Sequence, residues 1–282
     1  MRSGQRAAKI VAVAIVAAVG LAAGPVRKEY RYTVGSRATV TITNQYGPIS
    51  VRPASGSQVL VTATTYSDKV EVDQGQSGNR VDVLSHLLPG ATADNGRVEY
   101  EVQVPPDASV NLHSTTGPLH AEQLHGDVTL EGATARVEAR DIRDAHVHVR
   151  TLNGPVTLTN IHNGHVEITS VSGDVTLNSV DGPFVQVNSS SGKIRYDGDF
   201  GAAGEYFLTS HSGDIEATAP GDASIDVIAR SIRGHVENDF PLQPRHTPFV
   251  VKAGSAFAGT VGRAGSAVKL LSFSGKIHLK KR

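Results

Sequence analysis

Along the second half of the chain, apolar and polar residues alternate in short runs, and each run opens on a small corner residue. Gly154-Pro155-Val156-Thr157-Leu158, Gly164-His165-Val166-Glu167-Ile168, Gly173-Asp174-Val175-Thr176-Leu177 and Gly192-Lys193-Ile194-Arg195-Tyr196 show the pattern. Runs recur about every nine or ten residues, so a full turn takes about nineteen, a period that marks a solenoid. Two series interleave: Gly117, Ala135, Gly154, Gly173, Gly192, Gly213, Gly234, and Gly126, Ala145, Gly164, Pro183, Gly204. Within a series the members lie 18 to 21 positions apart. At Pro183 the glycine comes one position early, as Gly182.

The second and fourth residues after each start are apolar, as in Val128 and Leu130, Val147 and Val149, Val166 and Ile168, Val185 and Val187. The first and third are mostly polar, as in His146 and His148 or His165 and Glu167. Alternation with period two sends the apolar set to one face of a strand, here the solenoid interior. Glycine at the corners serves positive φ or close backbone approach. The pattern predicts an all-β fold: a parallel β-solenoid with two short strands per turn, right-handed by the rule for parallel crossovers. Turns stacked ~4.8 Å apart make the six steps from Gly117 to Gly234 roughly 29 Å long.

Outside residues 111–239 the regularity fades. Residues 29–110 read as a hairpin-rich N-terminal part, with strands over Arg37–Thr43, Ile49–Arg52, Val59–Thr65 and Arg97–Val104. Residues 240–282 read as a C-terminal cap, in which Ser274-Gly275-Lys276-Ile277 forms one last repeat after a long excursion. Together, residues 29–282 form one domain.

Composition narrows the function. Lys and Arg together number 27, as do Asp and Glu, for a formal net charge of +0. No basic stripe of the kind nucleic acid requires is present. The chain has no Cys, which removes disulfides, thiolate metal sites and a cysteine nucleophile. At the N-terminus, Arg2, Arg6 and Lys9 precede an uncharged apolar run from Ile10 to Gly24. As a helix that run spans roughly 22 Å, short of a ~30 Å hydrocarbon core. Residues 1–26 are therefore expected to form a signal peptide or, with Pro25 and Val26 included, an uncleaved membrane anchor through residues 10–26. Either puts the domain outside the cytoplasm, periplasmic or at the cell surface.

Ser172-Gly173-Asp174-Val175, Ser191-Gly192-Lys193-Ile194, Ser212-Gly213-Asp214-Ile215 and Ser274-Gly275-Lys276-Ile277 share one form, and Val104-Pro105-Pro106-Asp107-Ala108 precedes the first turns. Through these units, roughly from Ala38 to Leu279, the chain resembles the putative-adhesin family of exported bacterial β-solenoid proteins of unknown function. The resemblance implies a signal or anchor, a β-solenoid and surface adhesion; it carries no catalytic or binding residues.

Three candidate sites stand against plainer explanations. His146, His148, His165 and Glu167 fall on adjacent turns as a rectangle of about 4.8 by 6.8 Å, a donor set suited to zinc, copper or nickel, or else a solvated polar face. Asp174 and Asp214, with Lys193 between them, lie two turns apart, near ~9.6 Å, at the outer limit for a glycosidase pair; a charge ladder is the plainer explanation. The corners Leu158-Thr159-Asn160-Ile161-His162-Asn163 and Asn178-Ser179-Val180-Asp181 lack the glycine pairs of calcium-binding β-rolls, and Ile161 and Val180 are expected to plug the corner interior. No catalytic residue, cofactor or metal is therefore assigned. The expected function is a non-enzymatic exported scaffold that binds an envelope or surface macromolecule. The alternatives are a polysaccharide-active β-helix enzyme, or a sensory module on an uncleaved anchor.

Overall fold

The computed structural model describes residues 24–244 and 254–282; the expected signal or anchor helix lies outside the described residues. In chain order the strands are β1 (Val26–Thr33), β2 (Thr39–Asn44), β3 (Ile49–Pro53), β4 (Gln58–Thr65), β5 (Val70–Ser77), β6 (Arg80–Leu87), β7 (Val98–Val104), β8 (Ser109–Ser114) and β9 (Leu119–Glu122). Then come β10 (Val128–Gly132), β11 (Val137–Arg143), β12 (His146–Thr151), β13 (Val156–His162), β14 (His165–Ser170), β15 (Val175–Val180), β16 (Phe184–Ser189) and β17 (Ile194–Asp197). The chain ends with β18 (Glu205–Ser210), β19 (Ile215–Ala219), β20 (Ile225–Ser231), β21 (Val236–Asn238), β22 (Gln243–Pro244), β23 (Ala256–Val261), β24 (Ser266–Ser272) and β25 (Ile277–Lys281).

These strands form a 12-stranded and a 13-stranded sheet facing each other. Each coil contributes one strand to each sheet; from β8 to β19 a tight first corner joins the two strands and a second corner leads to the next coil. Ten coils stack in parallel, in the order β6–β7, β2–β3, β8–β9, β10–β11, β12–β13, β14–β15, β16–β17, β18–β19, β24–β25 and β20–β21. At ~4.8 Å per step the stack is roughly 43 Å long.

Aliphatic columns run down its centre. Val40, Val110, Val128, Val147, Val166 and Val185 pair in register and are fully buried, with Tyr206, Val268 and Val227 continuing the row. Facing them, Ile49, Leu119, Val137, Val156, Val175, Ile194, Ile215 and Ile277 form a matching row. Between Gly198 and Gly204 the coil carries rings instead: Phe200 stacks on Tyr196 at 4.3 Å and meets Tyr206 edge-on at 5.1 Å.

The two corners work differently. At the first, a Cβ on Gly173 would sit 1.9 Å from the Gly154 carbonyl oxygen, and one on Gly192 would sit 2.1 Å from that of Gly173. Glycine is needed there because successive coils touch backbone to backbone. In the regular coils positive φ falls at the second corner, where Asp141, Asn160 and Ser179 take left-handed conformations in successive coils. Asn and Asp tolerate that region. Beside them Ile142, Ile161 and Val180 are buried, so the expected plugs are in place.

A polar column lies inside the first corner. Thr151, Ser170, Ser189, Ser210, Ser272 and Ser231 stand in register, all buried. Each bonds the glycine three residues on. Ser170 Oγ donates to the Gly173 carbonyl at 2.7 Å; the Gly213 N–H donates to Ser210 Oγ and the Gly275 N–H to Ser272 Oγ, both at 2.8 Å. In these six coils a buried hydroxyl thus closes the turn on its own glycine. In one coil both partners change together: Gly132 stands in the serine column and Ala135 in the glycine column. A Cβ on Gly132 would lie 2.9 Å from that of Ala135, so the two substitutions compensate sterically.

Both ends depart from the sequence reading. The expected last repeat, Ser274-Gly275-Lys276-Ile277, is not last in space: β24–β25 inserts between β18–β19 and β20–β21. The backbone contacts agree, because Gly275 packs on Gly213 and Gly234 packs on Gly275. At the other end, β2–β3 is a parallel coil rather than a hairpin, inserted between β6–β7 and β8–β9. The hairpin character expected there belongs to the outermost strands, where β5 pairs antiparallel with β6, β4 with β7, and β1 with β4. At the far end β23 runs antiparallel to β20. Antiparallel strands at both ends cover edges that would otherwise invite further parallel pairing.

Candidate functional site

The outward positions of β12, β14, β16 and β18 make the most distinctive face. Parallel register sets His146 beside His165 and His148 beside Glu167, the rectangle expected from the repeat. The side chains do not share one focus. His165 Nε2 meets Glu167 Oε1 at 3.1 Å, and His148 Nδ1 meets Glu167 Oε2 at 3.5 Å. His146 turns the other way, its Nδ1 lying 3.2 Å from Asp127 Oδ1 on the preceding coil. Among the described residues no group of three or more His, Asp or Glu is placed to hold a metal ion. The hydrogen bond from His165, with the nearby His148, holds the Glu167 carboxyl below its ordinary value against a small opposing effect of burial.

The same four positions open a row that the alternation alone did not single out. The His146 ring meets His165 edge-on at 5.1 Å, and His165 stacks on Phe184 at 4.7 Å. Phe184 contacts Phe207 at 5.7 Å, and Lys269 Nζ lies 4.8 Å from the Phe207 ring centre. The row crosses five neighbouring coils, from β12 to β24. Coil spacing and ring-stacking distance nearly coincide, which explains the ladder. Of these three contacts the His165–Phe184 pair is stacked, the His146–His165 pair is edge-on and the Phe184–Phe207 pair is tilted at 44°. The signal for Phe184 and Phe207 was present in the sequence: both sit at outward positions of their units.

The acid pair of the other sheet is engaged differently. Asp174 Oδ1 accepts the Lys193 N–H at 2.8 Å, and Asp214 Oδ1 accepts the Lys276 N–H at 2.7 Å. Asp174, Lys193, Asp214 and Lys276 therefore alternate along consecutive coils, each carboxylate tying its coil to the next. Nearby, burial pushes the Glu216 carboxyl up, but Lys280 and Lys193 outweigh it and hold the group low. This surface is a lattice of cross-coil ion pairs.

Two solved structures match the chain at low identity. One is described as a putative cell adhesion protein from Clostridium sporogenes, at 12% identity and a TM-score of 0.28, covering 91% of this chain and 100% of that one. The other is described as a putative adhesin from Bacteroides fragilis, at 9% identity and a TM-score of 0.41, covering 91% and 97%. No curated protein matches the chain. The Toastrack DUF4097 family profile matches residues 38–280, a span that includes all the serine–glycine units. With that match over most of its length, the chain belongs to the Toastrack DUF4097 family.

Proposed function

We propose that this protein is an exported, non-enzymatic scaffold that binds an envelope or surface macromolecule through the ring-lined face. The row His146, His165, Phe184, Phe207 and Lys269 supports this reading. It sets donors and ring edges at fixed intervals on a rigid sheet, where little conformational freedom is left to lose on binding. The adhesin descriptions of the two solved structures and the apolar run Ile10–Gly24 are in keeping with it. In the enzyme alternative Asp174 and Asp214 would be the acids, yet both accept backbone N–H groups of the next coil.

The test is crosslinking and recovery of the full-length protein in its native envelope. A defined macromolecule is expected in the recovered material, and the triple variant His165→Ala, Phe184→Ala, Phe207→Ala should lower its yield at least about fivefold. If envelope fractions and whole cells fail to retain the purified protein, the proposal falls.

A further inference from the structure

A groove of about 660 Å³ follows the first corner across the coils from Asn44 to Val171. Gly132 and Ala133, from the coil with the paired exchange, are among its lining residues. Four coil steps give it a run of roughly 19 Å.

The lining is uneven in a way that points to a ligand. Leu152 and Val171 are 54% and 44% exposed, side by side on adjacent coils. Ser114 is 6% exposed, and its Oγ is without a hydrogen-bond partner. It is the one described member of the serine column left so. Arg150 is exposed on the rim. The neighbouring Glu131 is taken by His113 at 3.2 Å, and Arg150 has no carboxylate partner among the described residues.

Main-chain donors offer nothing more. Thr134 N–H bonds the Thr115 carbonyl, Leu152 N–H the Gly132 carbonyl, and Val171 N–H the Thr151 carbonyl. An added peptide strand would find none of these donors free for its own carbonyl groups. The lining therefore suits a ligand with one anionic head and an apolar stem.

We propose that this corner groove binds an aliphatic carboxylate, with the head on Arg150 and the chain along Ala133, Leu152 and Val171. Guanidinium and carboxylate pair through two parallel hydrogen bonds. The site is separate from the ring-lined face and stands or falls independently of it.

Decanoate titrated into the purified full-length protein by calorimetry tests the site. Saturable binding near one equivalent is expected. Affinity should drop at least about tenfold with Arg150→Gln, and likewise with Leu152→Ser or with decanol in place of decanoate. Both side chains are exposed, so unchanged melting temperatures will show that the variants fold. Absence of saturation overturns the proposal, as does equal affinity for decanol or indifference to Arg150→Gln. Tighter binding of a leucine-terminated peptide than of decanoate also overturns it and assigns the groove to peptides.

Discussion

Ser170 and Ser114 occupy the same column, yet only one closes a turn. Ser170 Oγ donates to the Gly173 carbonyl, whereas Ser114 Oγ has no partner. Replacing Ser170 with Ala removes a buried donor and leaves an acceptor short, at a cost of about 1–2 kcal/mol. Replacing Ser114 with Ala should change stability by less than about 0.5 kcal/mol. Denaturant midpoints of the two variants check the contrast; equal losses would mean that the column contributes by packing alone. At this scale the sequence was partly legible. Turn-forming residues before the glycines were plain, but the buried hydroxyl three residues before each glycine was not distinguished from the exposed serines beside it. Ser189, Ser190 and Ser191 look alike on paper, and only the pleat sends the first inward.

Strand order is the matter at the scale of elements. The coil β24–β25 is last in the chain but lies inside the stack, with partners on both sides. Deleting Ser266–Arg282 should expose the apolar faces of two coils at once. A loss in melting temperature of more than about 10 °C is expected, with new protease cleavage in β18–β21. Deleting the chain through Thr33 removes β1, a largely exposed edge strand, and should cost far less. Comparable losses for the two deletions would contradict the insertion. Periodicity could not reveal this order, because every coil presents nearly the same apolar edge to its neighbour. Nor could it separate β2–β3 from a hairpin, since parallel and antiparallel partners demand the same alternation.

For the whole molecule, titration follows from where the ionisable groups sit. Burial pushes the phenols of Tyr100, Tyr196 and Tyr206 up. The unfolded chain ionises its tyrosines near ~10, so the stability they contribute is intact below that pH and is lost as pH rises beyond it. Glu122, Glu167 and Glu237 are held low, by Arg140, His165 and Lys276 respectively. Their contribution is present above about 4.3 and fades as pH falls through the folded values. Glu167 is exposed and Glu122 and Glu237 are only partly buried, so solvent screens these pairs, and the acid limb should be shallow and the alkaline limb steep. Melting temperatures from pH 3 to 11 check this. A Tyr196→Phe variant should flatten the alkaline limb relative to its own value at pH 7, and an unaltered slope would refute the assignment.

The chain by itself determined the coil. Alternation with period two, a repeat near nineteen residues and glycines at the corners leave little besides stacked turns with an aliphatic interior, and Val147, Val166 and Val185 do lie one above another. Only the tertiary structure decided which coils touch, which rings meet and where the corner groove opens. Those outcomes depend on contacts between residues up to dozens of positions apart, such as Gly213 with Gly275 or Phe207 with Lys269. A local pattern cannot rank such contacts when many equivalent coils compete for each of them.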